Sequence, residues 1–267
     1  IGPDQIARPA VHNDIILGLF APLYFFYPSP EILLVVQSMM LGLGALAVFG
    51  IAQHVLKKQH LSLLFAVSYL FYVPLQYTNR FDFHAVTLAT PFLLFMFYFW
   101  LVKKFRWSFL FFILSLLTKE QVGLTTACMG IYMFITQNSK LKTQNYNSKL
   151  KNLKFPTAII IASVVWVGLS FLVIIPFFRG SAHFASSRYQ DINVIQTLFR
   201  QSTGDYLWNL FAPLGFLSFL SPVFLITLPE FAVNLLSQDP NMRSIVFHYT
   251  AVITPFVFIS AIYGLKL

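Results

Sequence analysis

Leu117-Thr118-Lys119-Glu120-Gln121 places three strongly polar side chains between two apolar runs, Trp107 to Leu117 and Val122 to Ile135. Read as one helix, Trp107 to Thr136 would be far longer than a hydrocarbon core about 30 Å thick requires. It would also bury Lys119 and Glu120 near its middle, at about 2.5–3.5 kcal/mol for each ion. Both flanks are basic: Lys103, Lys104 and Arg106 before, then Lys140, Lys142, Lys149, Lys151 and Lys154 after. Short basic loops stay cytoplasmic, so both ends are expected on one side. The segment then reads as a hairpin of two short helices with Lys119-Glu120-Gln121 at its apex. The first arm, Trp107 to Thr118, would rise about 18 Å at roughly 1.5 Å per residue, past the midplane but not across. A charged apex at that depth persists only beside water, a partner charge or a ligand. Either Lys119 and Glu120 satisfy each other, or they line a functional cavity.

The bulk numbers agree with a membrane setting. The 267 residues are 57% hydrophobic and only 10% charged, with a mean hydropathy of +0.71. A soluble domain carries about 25% charge, so a polytopic helical membrane protein is expected. The net charge of +9 does not point to nucleic acid, because the basic residues cluster between apolar spans and are not interleaved with aromatics. Cys128 is the single cysteine, which excludes an intrachain disulfide. The chain opens on Ile1, with no signal peptide, and reads as one transmembrane domain whose first helix and start of its first outer loop precede it.

In order, Ile1 to Asn13 reads as loop, and Asp14 to Phe26 as an interfacial half-helix broken by Pro22. Ser29-Pro30-Glu31 is a helix start, with Ser29 as cap. Glu31 to Leu56 spans, Leu61 to Thr78 returns, Asn79 to His84 turns outside, and Ala85 to Val102 goes back in. After the hairpin, Thr136 to Phe155 reads as a solvated loop. Pro156 to Phe178 spans outward, Arg179 to Gly204 is an outer loop, Asp205 to Leu236 holds two short arms, and Tyr249 to Leu265 is the last span. No internal repeat is present.

Sorted by side, 11 of the 18 Lys and Arg residues fall inside, ten of them lysine. The other seven are Arg8, Arg80, Lys119, Arg179, Arg188, Arg200 and Arg243. All nine acids, with His12, His84, His183 and His248, fall outside or at the apex. Topology rules do not require this, since acids contribute little to them. An outer site of carboxylates, imidazoles and arginines does. Arginine bonds two phosphate oxygens at once, and carboxylate and imidazole are general bases and metal ligands.

Each constellation also has a plainer reading. His12-Asn13-Asp14 supplies a metal ligand, base or sugar contact, or is a helix cap with a chance histidine. Asp82-Phe83-His84 binds a metal if extended, or Asp82 caps the next helix. Glu230, after Pro229 in an apolar arm, needs a partner or water. His248-Tyr249 is a site pair or an interfacial aromatic pair. Arg179, His183 and Arg188 hold a phosphate or are solvated loop. No Walker loop, zinc spacing or serine elbow is present.

Two resemblances follow from these residues. HNDIILGLFAPLYFFYPSPEILLVVQSMMLGLGALAVFGIAQ, His12 through Gln53, resembles the segment after the first outer loop of GT-C glycosyltransferases, and SLLTKEQVGL resembles the Leu-Thr-Lys-Gly-Pro hairpin of their protein mannosyltransferase and aminoarabinose-transferase branch, with Glu120-Gln121 in place of Gly-Pro. RFDFHAVTLATPFLLF, LLTKEQVGL, LPEFAVNLLS and RSIVFHYTAVITPFVFISAIYGL resemble the predicted multi-pass membrane family of the domain of unknown function numbered two-zero-seven-nine. The first resemblance implies a GT-C-like all-α bundle that moves a sugar from a polyprenyl-phosphate donor at the extracytoplasmic face of the cell membrane. The early-loop acids available to it are Asp4 and Asp14. On this reading Asp14, Asp82 or Glu120 activates the acceptor or holds a divalent cation, and Lys119 neutralises the leaving phosphate or locks Glu120 in place. Arg179, Arg188 or Arg243 holds the donor phosphate, and His12, His84, Glu230, His248 and Tyr249 complete substrate binding. A transporter or lipid flippase, which also uses broken helices with charged midpoints, and a non-catalytic assembly subunit are the alternatives.

Overall fold

The computed structural model describes residues 7–140, 146–181, 184–190 and 192–267. Among these the fold is all-α, with short 3-10 turns between helices and no strand. Helix α1 (Glu31–Leu56) runs into α2 (Gln59–Leu70), which bends by 41° into α3 (Val73–Arg80). Pro74 explains the bend: it lacks an N–H, and its ring collides with the carbonyl four residues back. That carbonyl, of Leu70, accepts instead from the Gln76 side chain. After a 3-10 turn, α4 (Ala89–Leu101) is followed by α5 (Phe105–Leu116), α6 (Val122–Lys140) and α7 (Tyr146–Leu169). A turn of π-helix, Ser170–Ile174, continues α7 into α8 (Ile175–Arg179). Pro176 provides its cause, since it cannot bond back to the carbonyl of Leu172. Helices α1 and Leu153–Arg179 are long and apolar enough to cross a membrane, and the bent α2–α3 pair makes a third if taken as one span.

The rest is shorter: α9 (Val194–Leu198), α10 (Gln201–Phe211), α11 (Leu228–Leu236) and α12 (Thr254–Lys266). Helix α12 is the centre of the bundle. Its residues from Thr254 to Ile262 are all buried, because it is apolar on every face and is enclosed by α1, α4 and the turns at Leu217–Leu220 and Pro222–Thr227. Ser260 returns its hydroxyl to the Phe256 carbonyl four residues back, so it adds no unpaired group. Gly264 lets the backbone at Leu217 approach closely. Small residues also join α6 to α7. A Cβ at Gly123 would meet Val167 Cγ2 at 2.5 Å and one at Gly130 would meet Ile160 Cγ1 at 2.8 Å. Thr126 and Ser163 share a 2.8 Å hydrogen bond across the same contact.

Several sequence expectations need correction. Ser29 does not cap α1; its hydroxyl, like that of Tyr27, donates to the Glu31 carboxylate. Asp14 to Phe26 is 3-10 helix over Ile15–Phe25. The segment expected as a solvated loop, Thr136 to Phe155, is helical where described, since α6 runs on to Lys140 and α7 begins at Tyr146. The last helix starts at Thr254, after a 3-10 turn at His248–Thr250. The chain does break at Leu117 to Gln121, but the two arms diverge: α5 packs chiefly on α4, and α6 on α7.

Candidate functional site

The break between α5 and α6 contains neither Gly nor Pro. Thr118 ends α5 by turning its hydroxyl onto the Ser115 carbonyl, 2.6 Å away. The carbonyl of Leu117 leaves the helix ladder and accepts from the Ile16 N–H at 3.0 Å. The apex is thereby tied to the segment Arg8 to Ile16. Glu120, 1% exposed, faces that segment. Its Oε1 bonds His12 Nδ1 at 2.9 Å and its Oε2 accepts the Asn13 backbone N–H at 3.0 Å. The Asn13 amide reaches Ser170 Oγ on the π turn at 2.8 Å. Arg8 donates to Asp14 Oδ2 from Nε at 2.8 Å and from Nη2 at 2.5 Å.

A second wall comes from α3 and the residues after it. Gln37, fully buried on α1, donates to the carbonyls of Thr78, Asn79 and Phe81 at 3.3–3.4 Å. Its oxygen accepts from Thr87 Oγ1 at 2.9 Å and from the His84 N–H at 3.4 Å. This fixes the His84 ring, which stacks on His248 with centroids 3.8 Å apart and planes 15° apart. Phe81 and Tyr249 extend the stack. Thr78 and Thr250 join the two strips of chain by a 3.2 Å hydroxyl contact.

The third wall is α11 with the Arg188 region. Gln121 Nε2 donates to Glu230 Oε1 at 2.6 Å, while the buried Glu230 Oε2 has no protein partner. Tyr189 OH donates to the Val233 carbonyl at 3.0 Å, and Arg188 pairs with Asp239 at 3.4 Å. Between the walls lies a cavity of about 410 Å³ whose lining includes Arg8, His12, His84, Lys119, Glu120, Arg188 and His248. The Lys119 carbonyl accepts from the Val122 N–H at 3.2 Å, and among the described residues no hydrogen bond or ion pair engages its ammonium group. Helices α1 and α4 turn back at Lys57–Lys58 and Lys103–Lys104 into α2 and α5, each packed on the helix before it, so His84 and Lys119, at the far ends of the returning chain, stand at the other end of these hairpins.

Burial dominates the imidazoles. It pulls His12 below the ordinary histidine value despite the Glu120 hydrogen bond, and does the same to His84. His248 is pushed down to about 2, first by burial, then by the positive field of Lys119. All three are neutral bases at pH 7. An ionised Glu120 can only accept, so it holds the proton on His12 Nδ1 and leaves the ring's lone pair at Nε2.

The structure gathers Glu120, Lys119, His12, His84, His248, Tyr249 and Arg188 around one cavity. Glu230 joins through Gln121, and Asp14 lies in a small adjoining recess with Arg8 and Lys119. Three expected residues stand apart. Asp82 is exposed, and its backbone carbonyl, not its carboxylate, meets His84 Nδ1 at 2.9 Å. Arg243 is buried and spends Nη1 on the carbonyls of Leu235 and Ser237, closing the end of α11. Arg179 ends α8 and does not line the cavity. His183 and Asp4 lie outside the described residues. Among the described residues no three His, Cys, Asp or Glu side chains converge as a metal site. Arg8, Gln37 and Tyr189 were missed; only Arg8, a basic residue four before His12, carried a signal.

No curated protein and no solved structure matches this chain. A family model does, over residues 6–267, which is nearly its whole length and includes every wall of the cavity. The chain therefore belongs to the family described as Predicted membrane protein (DUF2079).

Proposed function

We propose that this protein is a multi-pass membrane glycosyltransferase that moves a sugar from a lipid-phosphate donor to a hydroxyl acceptor at the extracytoplasmic face. The observation that carries the reading is the Glu120–His12 pair, which lines the same cavity as Lys119, Arg8 and Arg188. It places an oriented base beside cationic groups suited to a phosphate. The acceptor oxygen attacks the anomeric carbon, and its proton passes to His12 Nε2. The bond from that carbon to the phosphate oxygen breaks, and the lipid phosphate leaves with its electron pair. Lys119 and Arg188 stabilise the charge that develops on it, and Glu120 stabilises the imidazolium. His84, His248 and Tyr249 offer ring faces and one ring nitrogen, His248 Nδ1, that is buried without a protein partner, suited to sugar hydroxyls. The lysine-rich turns at the opposite end of the bundle support the sidedness.

The test is sugar release from a radiolabelled polyprenyl-phosphate donor by purified protein in liposomes, with and without an alcohol acceptor. Release that requires protein and falls in Glu120→Gln supports the reading. Absence of release with every donor, or full activity in that variant, overturns it.

A further inference from the structure

A second cavity, of about 500 Å³, is lined mainly by apolar side chains. One wall is α6, through Cys128, Ile131 and Ile135; the other is the helical segment Pro222–Leu236, through Pro222, Leu225 and Ile226. Both walls also serve the polar cavity. On α6, Leu124 lines the polar site and stands four residues before Cys128. Leu124, Cys128, Ile131 and Ile135 follow spacings of four, three and four, a single helical stripe. On the facing segment, Val233 lines the polar site and stands seven residues after Ile226. The two walls run antiparallel, pinned near the polar end by Gln121 and Glu230. Polarity therefore changes in the same direction along both, from Lys119 and Gln121 at one end to Ile135 about 21 Å beyond Gln121, at roughly 1.5 Å per residue. The lower end opens outward, since Ile131, Ile135 and Leu225 are each about half exposed.

We propose that this cleft between α6 and Pro222–Leu236 seats the hydrocarbon chain of a lipid phosphate whose head group lies in the polar cavity. The inference rests on the sugar-transfer reading for the donor's identity, and goes beyond it by assigning the chain a site. An apolar recess walled by the same two elements as a cationic cavity fits one amphiphile better than unrelated lipids, because a head at Lys119 leaves its chain to run along the stripe.

Cys128, the chain's single cysteine, stands in the groove and reports occupancy directly. Protein in phosphatidylcholine nanodiscs is labelled with a small apolar maleimide while undecaprenyl phosphate, undecaprenol, geranyl phosphate or inorganic phosphate is added. At a ligand concentration about tenfold above half-saturation, undecaprenyl phosphate should slow labelling about tenfold by mass action. The other three should leave it within about twofold, and Ile131→Trp or Ile135→Trp, which fill the groove, should abolish the protection. Equal protection by undecaprenol overturns the link to the head cavity, and no protection by undecaprenyl phosphate overturns the site. Protection without any sugar transfer would leave the groove standing and remove the enzyme reading. Equal transfer from short- and long-chain donors would do the reverse.

Discussion

Replacing Glu120 by Gln and by Ala should separate its two contributions. The Gln amide can satisfy both existing contacts, with its oxygen accepting from the Asn13 N–H and its NH₂ donating to His12 Nδ1. That donation reverses the imidazole tautomer: Nε2 now carries the proton and cannot take another. Stability should change by about 1 kcal/mol or less, the net worth of an ordinary hydrogen bond. Transfer should fall about 10²–10⁴-fold, the usual contribution of a positioned base, or about 3–5 kcal/mol of barrier. The Ala variant leaves the buried Asn13 N–H without a partner at a cost of about 1–3 kcal/mol, plus the lost charge-assisted bond to His12. A total of about 2–4 kcal/mol lowers the melting temperature by roughly 4–12 °C at this chain length. The assays are transfer from a radiolabelled lipid donor and tryptophan-monitored thermal unfolding in detergent. Full transfer by Glu120→Gln would remove the pair from the chemistry, and an unshifted melting temperature for Glu120→Ala would contradict the contacts themselves.

Stability should also depend on pH through the histidines. The folded values of His12, His84 and His248 all lie below the unfolded value near 6.5, so the unfolded chain binds more protons and stability is lost as pH falls below that value. For His248 alone, pushed down to about 2, lowering pH from 6.5 to 5 costs about 2 kcal/mol. His248→Phe should flatten a melting-temperature profile over that range, and an unchanged slope would show that another group is responsible. Gln37→Leu should cost about 2–4 kcal/mol by stranding the carbonyls and donors it bridges, measured by thermal unfolding. Gly264→Ala puts a Cβ against the Leu217 carbonyl oxygen and should cost about 1–3 kcal/mol. Gly18→Ala, with nothing within 4 Å, is its control, and equal effects from the two would refute the close approach.

Helix α1 could be read from sequence to its ends, Glu31 and Leu56, because an uninterrupted apolar run stops at two lysines. The α5–α6 break was legible for the opposite reason, since charges inside an apolar run leave few ways to fold. The helical content between Thr136 and Phe155 was not, because Asn, Lys and Gln composition signals solvation, and solvation alone does not separate helix from loop. The stack of His84 on His248 had no local signal at all. It depends on α3 and the residues before α12 meeting in space, which only packing decides. Arg243 misled in the other direction: a basic residue in a polar stretch suggests a phosphate ligand, but the carbonyls left open at the end of α11 claimed it first.

The site's walls are joined chiefly by neutral amides. Gln37 ties α1 to the chain before His84, Asn13 ties the early segment to the π turn, and Asn234 ties α11 to the Tyr249 carbonyl at 2.9 Å. An amide carries two donors and an acceptor, so it can bridge separate strips of backbone without the solvation cost of burying an ion. Lys119, Glu120, Arg188 and the Arg8–Asp14 pair are left to line the cavity and its recess, where a polar ligand can meet them. Of the residues the sequence sorted away from the lysine-rich turns, this division gathers Arg8, Lys119, Glu120, Arg188, His12, His84 and His248 around one cavity. In a chain that is 10% charged, a group of charges around one cavity stands out, because most of the framework is held by amides and hydroxyls, with Arg243 at the end of α11 as the exception.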